Sequence, residues 1–179
     1  MDTKKFSQLK EEYEEYYNSF LKQGKLPLGA TEKGFWGAAV AEEVLELFEK
    51  MGIKKYRNFI DLGSGDGKVA AIASLFGIKT TGVEFDEDLF NKSVEIKNKF
   101  NLNCEFINSD FYEIDLSKFG LIFINPDVPF EKGLENKLLN EMKGKLVVYG
   151  EQFKPKKLKH EEQFFVHGTE VNVYSNKTP

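Results

Sequence analysis

The sequence predicts an α/β fold: a doubly wound, mostly parallel sheet of seven strands that ends in an antiparallel hairpin, with a helical extension at the N-terminus. From residue 40 onward, short apolar runs alternate with segments of helical period, which is typical of strands covered by helices on both faces. Three alternate glycines separate an apolar run from an apolar helix at residues 59–68. The pair His167-Gly168 separates two strand-like runs near the C-terminus, as in a hairpin turn. With 179 residues and 41% hydrophobic content, the chain is long enough for one substantial core.

Residues 1–30 are interpreted as a helix with a linker, and residues 31–179 as the main domain. Apolar and aromatic side chains recur at helical spacing in the first two dozen residues, namely Phe6, Leu9, Tyr13, Tyr16, Tyr17 and Phe20. This face could pack against the main domain, cover a ligand or meet a partner, and simple packing is the favoured interpretation. Residues 25–34 contain a proline and two glycines and predict a loop that ends near a helix cap at Thr31.

The sequence of the main domain predicts a regular alternation of strands and helices. Strands are predicted at residues 56–62, 78–84, 104–108, 121–125, 146–149, 163–166 and 169–174. Helices are predicted at residues 40–51, 69–76, 89–100 and 130–142. In open sheets of this kind, ligands bind beyond the carboxyl ends of the strands, near the point where the strand order reverses.

Residues 61–68 read Asp-Leu-Gly-Ser-Gly-Asp-Gly-Lys and predict a nucleotide-binding turn. The glycines permit a tight turn and close approach of a ligand, and the helix that follows offers unpaired N–H groups. The dinucleotide fingerprint has a glycine where this chain has Lys68, so pyrophosphate is not the favoured ligand. Asp61 and Asp66 would repel a diphosphate but attract a cationic amino-acid group. The alternative is a tight turn from strand to helix that binds no ligand.

This acidic, glycine-alternating loop and the terminal hairpin resemble those of the class I S-adenosylmethionine-dependent methyltransferases, and the resemblance covers about residues 31–174. It implies a Rossmann-like fold, S-adenosylmethionine as cofactor, and a loop that contacts the methionyl part of the cofactor. The loop residues assigned to cofactor binding are Asp61, Gly63, Ser64, Gly65 and Gly67.

Two further acids are candidates for the nucleoside part of the cofactor. Glu84 ends the second predicted strand, about 20 residues after the glycine loop, where an acid accepts hydrogen bonds from ribose hydroxyls. Glu84 could instead cap the next helix, although Asp86 is better placed to do so. The resemblance implies that Asp110 accepts a hydrogen bond from the adenine amine and that Phe111 packs on the ring. The alternative for Asp110 is a cap on the turn before Tyr112.

Asn125-Pro126-Asp127 follows the fourth predicted strand, where the resemblance implies a substrate-facing motif. Methyltransferases that act on planar or amide nitrogen have Asn-Pro-Pro-Tyr or Asn-Pro-Pro-Phe here, and Asp127 takes the place of the second proline. The Asn125 side-chain oxygen and the Pro126 carbonyl would accept hydrogens from the target amine, and Asp127 would bind a lysine-type ammonium. The alternative is a loop that uses proline to start the next helix.

A lid or substrate wall is implied for the segment before the first helix of the main domain. In similar methyltransferases this segment often lies over the cofactor, which makes Thr31, Phe35 and Trp36 candidates. The two aromatic residues could instead be core side chains at the start of a helix.

Protein lysine is the leading substrate, because the compact length and the Asp-Leu-Gly-Ser-Gly-Asp-Gly motif also resemble the compact archaeal-type protein-lysine methyltransferases. These are related to the nucleosomal enzymes that use this fold rather than a SET domain. The net charge of −4 disfavours nucleic acid as a partner. A basic cluster, interpreted as a solvated turn, comprises Lys154, Lys156, Lys157, Lys159 and His160. The alternatives are a methyltransferase of nucleic-acid amines and a nucleoside-binding module without catalysis.

Cysteine and histidine usage predicts neither a disulfide nor a metal site. Cys104 is the single cysteine and is expected to be buried, and the two histidines lack ligand spacing. The sequence has no basic-apolar leader and no apolar run of membrane-spanning length. We therefore expect a cytoplasmic protein without a membrane partner.

Overall fold

The computed structural model describes residues 1–130 and 133–176. Its helices are α1 (Thr3–Lys22), α2 (Ala41–Met51), α3 (Lys68–Ser74), α4 (Glu87–Phe100) and α5 (Leu134–Glu141). Its strands are β1 (Leu28–Ala30), β2 (Phe35–Gly37), β3 (Asn58–Leu62), β4 (Lys79–Glu84), β5 (Cys104–Asn108), β6 (Leu121–Ile124), β7 (Lys145–Tyr149), β8 (Lys159–Val166) and β9 (Thr169–Ser175).

Seven strands form one sheet in the order β5-β4-β3-β6-β7-β9-β8. All neighbours from β5 to β7 are parallel, whereas β9 is antiparallel to both β7 and β8. The predicted mostly parallel sheet with a terminal antiparallel hairpin is therefore confirmed. The strand order reverses at β3, which has β4 on one side and β6 on the other. A ligand site is expected at the carboxyl ends of these strands.

Two hydrophobic cores lie on opposite faces of the sheet. Successive strand residues point to opposite faces, so Phe59 of β3 belongs to one core and the adjacent Ile60 to the other. The first core packs under α1, α2, α3 and α4, and the second packs under α5 and the short helical turns after β5. Both faces of the central strands are thus covered, which explains why β6 is apolar along its whole length.

Helix α1 contributes to the first core of the sheet. Leu9 and Tyr13 are each 1% exposed and belong to the same cluster as the β3 residues. An ion pair from Lys10 to Glu42 connects α1 with α2, and a second from Glu12 to Lys99 connects it with α4. Helix α1 therefore packs on the sheet domain, which is the interpretation favoured for its aromatic face.

The predicted loop at residues 25–34 is wrong in part, because β1 and β2 form a two-stranded hairpin. Thr31 closes its turn: its backbone N–H donates to the Gly34 carbonyl, and its hydroxyl accepts from the Gly34 N–H at 3.1 Å. Thr31 is therefore not a helix cap, and Val40 occupies the N-cap of α2 without a side-chain bond. Phe35 and Trp36 lie in β2 rather than at a helix start.

The helix after β6 begins later than predicted. It starts at Leu134, after Gly133 in a left-handed conformation with φ 108°, and not at residue 130. Residues 131–132 of the predicted helix lie outside the described residues. Across the described part of the chain, none of the helices combines the length and the apolar character that crossing a membrane requires.

Candidate active site at the strand tips

The glycine loop between β3 and α3 turns through three residues with positive φ. Gly63, Gly65 and Gly67 have φ of 70°, 53° and 83°. Residues with a Cβ rarely adopt this backbone conformation. A Cβ on Gly65 would lie 2.6 Å from Trp36 Cδ1, and one on Gly67 would lie 2.6 Å from Ser93 Cβ. A Cβ on Gly63 would meet nothing within 4 Å. Gly65 and Gly67 therefore allow close packing, and Gly63 alone leaves open space beside the sheet.

That open space belongs to the main cavity, which has an empty volume of about 820 Å³. The tips of β3, β4, β5 and β6 all reach it, and the β1–β2 hairpin forms another wall. Its lining includes Gly63, Glu84, Asp110, Phe111, Asn125 and Asp127. The strand-tip rule thus brings together residues that are more than 60 positions apart in the chain.

A smaller cavity of about 460 Å³ adjoins the main one and shares Gly63 and Asn125 with it. Asp61 and Ser64 line it, at 2% and 7% exposure. Among the described residues, neither Asp61 Oδ2 nor Ser64 Oγ has a hydrogen-bond partner. Burial raises the pKa of Asp61 well above its usual value, and the carboxylates of Glu84 and Asp66 raise it further. An unpaired buried carboxylate favours a cationic ligand beside it.

Glu84 lines the main cavity and organises the glycine loop. Its Oε2 accepts from the Gly65 N–H at 2.7 Å, and its Oε1 accepts from the Asp86 N–H at 2.8 Å. Burial raises the pKa of Glu84, although these backbone N–H groups partly offset the shift. Asp86 itself caps α4 by accepting from the Leu89 N–H at 3.1 Å. A carboxylate has about four acceptor positions, so Glu84 can still accept from a ligand hydroxyl.

Asp110 lies at the tip of β5, with a partner on each of its carboxylate oxygens. Oδ1 accepts from the Tyr112 N–H at 3.0 Å, which is the turn-capping alternative, and Oδ2 forms an ion pair with Lys33 of the hairpin. Burial alone would raise the pKa of Asp110, but the Lys33 ammonium and the Tyr112 N–H outweigh it and lower the pKa. The Lys33 ammonium also lies 3.9 Å from the centroid of the Phe85 ring. Phe85 and Phe111 both line the main cavity, so two aromatic side chains are available to a flat ligand.

The predicted substrate motif follows β6 and forms part of the wall of this cavity. Asn125, Pro126 and Asp127 all line the main cavity, and the exposed Asn125 also lines the smaller one. Asp127 is exposed, and its Oδ2 accepts from the Phe35 N–H. One oxygen of Asp127 is therefore committed to the hairpin, which leaves the other for a substrate.

The hairpin residues predicted as a lid or substrate wall lie in the wall of the main cavity. Thr31, Phe35 and Trp36 line the main cavity, and Phe35 is 54% exposed at its edge. The Trp36 ring lies against Gly65, with ring centroids of Tyr17 and Phe20 at 6.3 and 6.1 Å. Their contact with a cofactor or substrate stays a prediction.

Sequence reasoning missed three kinds of site residue. Phe85 follows Glu84 directly, so the strand-tip rule applied one residue further would have found it. Lys33 reaches Asp110 across 77 positions of sequence, and no local pattern predicts such a contact. Lys68 was noted only for not being a glycine, yet it is 5% exposed and lines the smaller cavity.

The sheet order, the acidic glycine loop and the terminal hairpin together define the class I methyltransferase fold. Among solved structures, an RNA methyltransferase from Salinibacter ruber in complex with S-adenosyl-L-homocysteine is 20% identical, covers 79% of this chain and 97% of that chain, and has a TM-score of 0.67. A 16S rRNA methyltransferase from T. thermophilus is 17% identical over 79% and 44% of the two chains, with a TM-score of 0.62. Magnesium protoporphyrin IX methyltransferase from Synechocystis is 10% identical over 75% and 76%, with a TM-score of 0.61. No curated protein sequence matches the chain.

The particular family follows from a sequence model that matches residues 30–132, more than half of the chain. Its description is "Histone methylation protein DOT1", and the chain belongs to this family. Family and fold agree, and the chain is a methyltransferase whose cofactor is S-adenosylmethionine. The residues of the smaller cavity fit the amino-acid end of that cofactor, because the unpaired oxygen of the buried Asp61 can accept a hydrogen bond from an ammonium group.

Proposed function

We propose that the protein transfers a methyl group from S-adenosylmethionine to lysine side chains of a protein substrate. The observation that supports a cationic substrate most directly is the charge of the main cavity. Its lining carries the acids Glu84, Asp110 and Asp127, and its cation Lys33 is paired with Asp110. A lysine ammonium would approach this negative wall favourably, whereas a phosphate backbone would be repelled.

In this proposal, the two cavities bind different parts of the cofactor. Asp61 would bind the cofactor ammonium in the smaller cavity, with the glycine loop enclosing it. In the main cavity, Glu84 would accept from the ribose hydroxyls, and Asp110 and Phe111 would hold the adenine. The cofactor supplies an electrophilic methyl group on a sulfonium, and the protein contributes position and electrostatics.

The substrate amine would be oriented by the motif that follows β6. The Asn125 side-chain oxygen and the Pro126 carbonyl would accept its hydrogens and so direct the nitrogen lone pair. The ammonium must lose one proton before it can react, and the proton would pass to water or to the free oxygen of Asp127. Deprotonation near a carboxylate is consistent with general-base chemistry, although transfer from a sulfonium does not require a dedicated base.

The test uses labelled S-adenosylmethionine with a lysine-rich basic peptide and a matched peptide in which every lysine is arginine. We expect label in the lysine peptide only, and an Asn125→Ala enzyme should label it much more slowly. Equal labelling of both peptides, or labelling of neither, would contradict the lysine assignment.

A methyltransferase of nucleic-acid amines is the second candidate, favoured by the Asn125-Pro126 pair in the site. The basic cluster gives it little support, because Lys154 is paired with Glu170 and Lys159 with Glu161. A cell extract labelled by the enzyme and digested separately with protease and nuclease decides between the two candidates. Label released only by nuclease would establish the nucleic-acid substrate.

A further inference from the structure

Helix α1 reaches the glycine loop through two tyrosine hydroxyls, both of which bond to Asp66. The Tyr13 hydroxyl donates to the Asp66 backbone carbonyl at 3.1 Å, and the Tyr17 hydroxyl donates to Asp66 Oδ2. The other carboxylate oxygen, Oδ1, accepts from the Lys68 N–H at 3.2 Å. Asp66 is 3% exposed, so these protein groups take the place of water around its charge.

Tyr17 also contacts the cation of the loop. The Lys68 ammonium lies 4.2 Å from the centroid of the Tyr17 ring and donates to the Ala39 carbonyl. Burial lowers the pKa of Lys68 to about 8, and the negative charge of Asp66 opposes the shift. One tyrosine thus supports a buried ion of each sign, with its hydroxyl on the carboxylate and its ring face on the ammonium.

The same helix supports the roof of the smaller cavity. The Trp36 ring covers Gly65, and the rings of Tyr17 and Phe20 pack beside it. Asp66 and Lys68 line this cavity, as does Trp36. Loss of the α1 contacts would therefore affect Trp36, Asp66 and Lys68, three residues that line one pocket.

We infer that Tyr17 is a positioning residue for cofactor binding, which makes α1 part of the cofactor site rather than an appendage that only packs. The inference rests on the proposed use of the smaller cavity. Without the Tyr17 hydroxyl, Oδ2 of Asp66 loses its donor in a region of low dielectric, and the carboxyl group must rotate or take up a proton. The ionisable groups that act on Asp66 come from four elements: Tyr13, Tyr16 and Tyr17 of α1, Asp61 of β3, Lys68 of α3 and Lys92 of α4.

The test is Tyr17→Phe, which removes the hydroxyl and keeps the ring. Calorimetric titration with S-adenosylhomocysteine at pH 7 should show binding about tenfold weaker, the effect of losing one bond of ~1.4 kcal/mol. The Tyr17 hydroxyl lowers the pKa of Asp66, so the loss of affinity on acidification should occur at higher pH in the variant. A residue with a merely structural role would not move this pH profile.

Tyr16→Phe is the matched control, because Tyr16 lies on the same helix and its ring contacts Phe20 and Lys92. It should bind as the wild type does. Phe20→Leu tests the roof independently, should Tyr17→Phe fail to fold. Trp36 is the single tryptophan, so its fluorescence reports the roof directly. We expect Phe20→Leu to change the Trp36 emission and weaken binding.

The outcomes separate two failures. If the wild type binds S-adenosylhomocysteine and Tyr17→Phe matches it in affinity and pH profile, the role of α1 is overturned and the proposed function stands. If Tyr17→Phe does not fold, wild-type affinity in Phe20→Leu overturns the role in the same way. If the wild type itself does not bind S-adenosylhomocysteine, the cofactor site and this inference both fail.

Discussion

Replacing Asp61 by Asn should stabilise the ligand-free protein and at the same time weaken cofactor binding. Asp61 is 2% exposed, and Oδ2 has no hydrogen-bond partner in the described part of the chain. Leaving one buried polar atom unsatisfied costs about 1–3 kcal/mol, and more when it is charged. Removal of the charge should therefore raise the free energy of unfolding by about 1–3 kcal/mol at pH 7, with a melting temperature about 2–4 °C higher for each kcal/mol.

The raised pKa of Asp61 determines how the stabilisation by Asp61→Asn should vary with pH. Burial, with help from Glu84 and Asp66, holds the pKa of Asp61 above its unfolded value of about 4. A carboxyl group of this kind contributes stability below its unfolded pKa and loses that contribution as pH rises through its folded pKa. The advantage of Asp61→Asn over the wild type should thus be small near pH 4 and grow toward neutral pH.

Binding should change in the opposite direction, because the same charge is proposed to hold the cofactor ammonium. Loss of a hydrogen bond to a charged group is worth about 1.5–3 kcal/mol, which corresponds to roughly 10- to 150-fold in the dissociation constant. Thermal melts across pH and calorimetric titration with S-adenosylhomocysteine measure the two effects. Asp88→Asn, an exposed change on α4, is the control for both. An Asp61→Asn protein that is less stable at every pH and binds normally would refute the reasoning.

Further variants examine the other walls of the main cavity. Glu84→Ala should abolish the rise in melting temperature caused by millimolar S-adenosylhomocysteine, and an undiminished rise would remove Glu84 from the cofactor site. Asn125→Ala should lower kcat by about 100-fold, the loss typical of a single positioned group, and leave cofactor affinity unchanged. An unaltered rate would exclude Asn125 from substrate orientation. Lys33→Met removes the ion pair that connects the hairpin to Asp110 at the tip of β5. Stopped-flow should therefore show faster cofactor release, with the exposed Lys25→Met as control. Equal release rates would mean that the pair does not retain the cofactor.

The sheet and the positions of its strand tips could be predicted from the sequence because parallel strands repeat one simple pattern. The central strands β3 and β6 are largely apolar, and a glycine or polar residue ends or directly follows each of β3, β4 and β6, so Gly63, Glu84 and Asn125 follow from counting along the chain. The rule that parallel strands place their carboxyl ends on one edge then brings them together. No knowledge of the loops was needed for that step.

The β1–β2 hairpin could not be predicted, because its strands are three residues long and too short to show a period of two. Its position depends on long-range pairs: Lys33 with Asp110, and the Phe35 N–H with Asp127. The tyrosine contacts of α1 escaped prediction for the same reason. The spacing of Tyr13 and Tyr17 predicts a buried face, but it does not specify that both hydroxyls bond to Asp66.

The charges around the glycine loop explain why this turn suits a sulfonium nucleoside and not a dinucleotide. Asp61, Asp66 and Glu84 all have raised pKa values, with burial as the first cause, and the buried cation among them is Lys68. Helix N-termini ordinarily attract anions, so the N-terminus of α3 without nearby acids would favour a phosphate group. Here three acids lie beside that helix end, and a ligand that adds positive charge would stabilise their charged forms. We therefore expect selectivity for a cationic cofactor to come from the acids of the loop and of the neighbouring strand. The glycines give the loop its shape but contribute no charge.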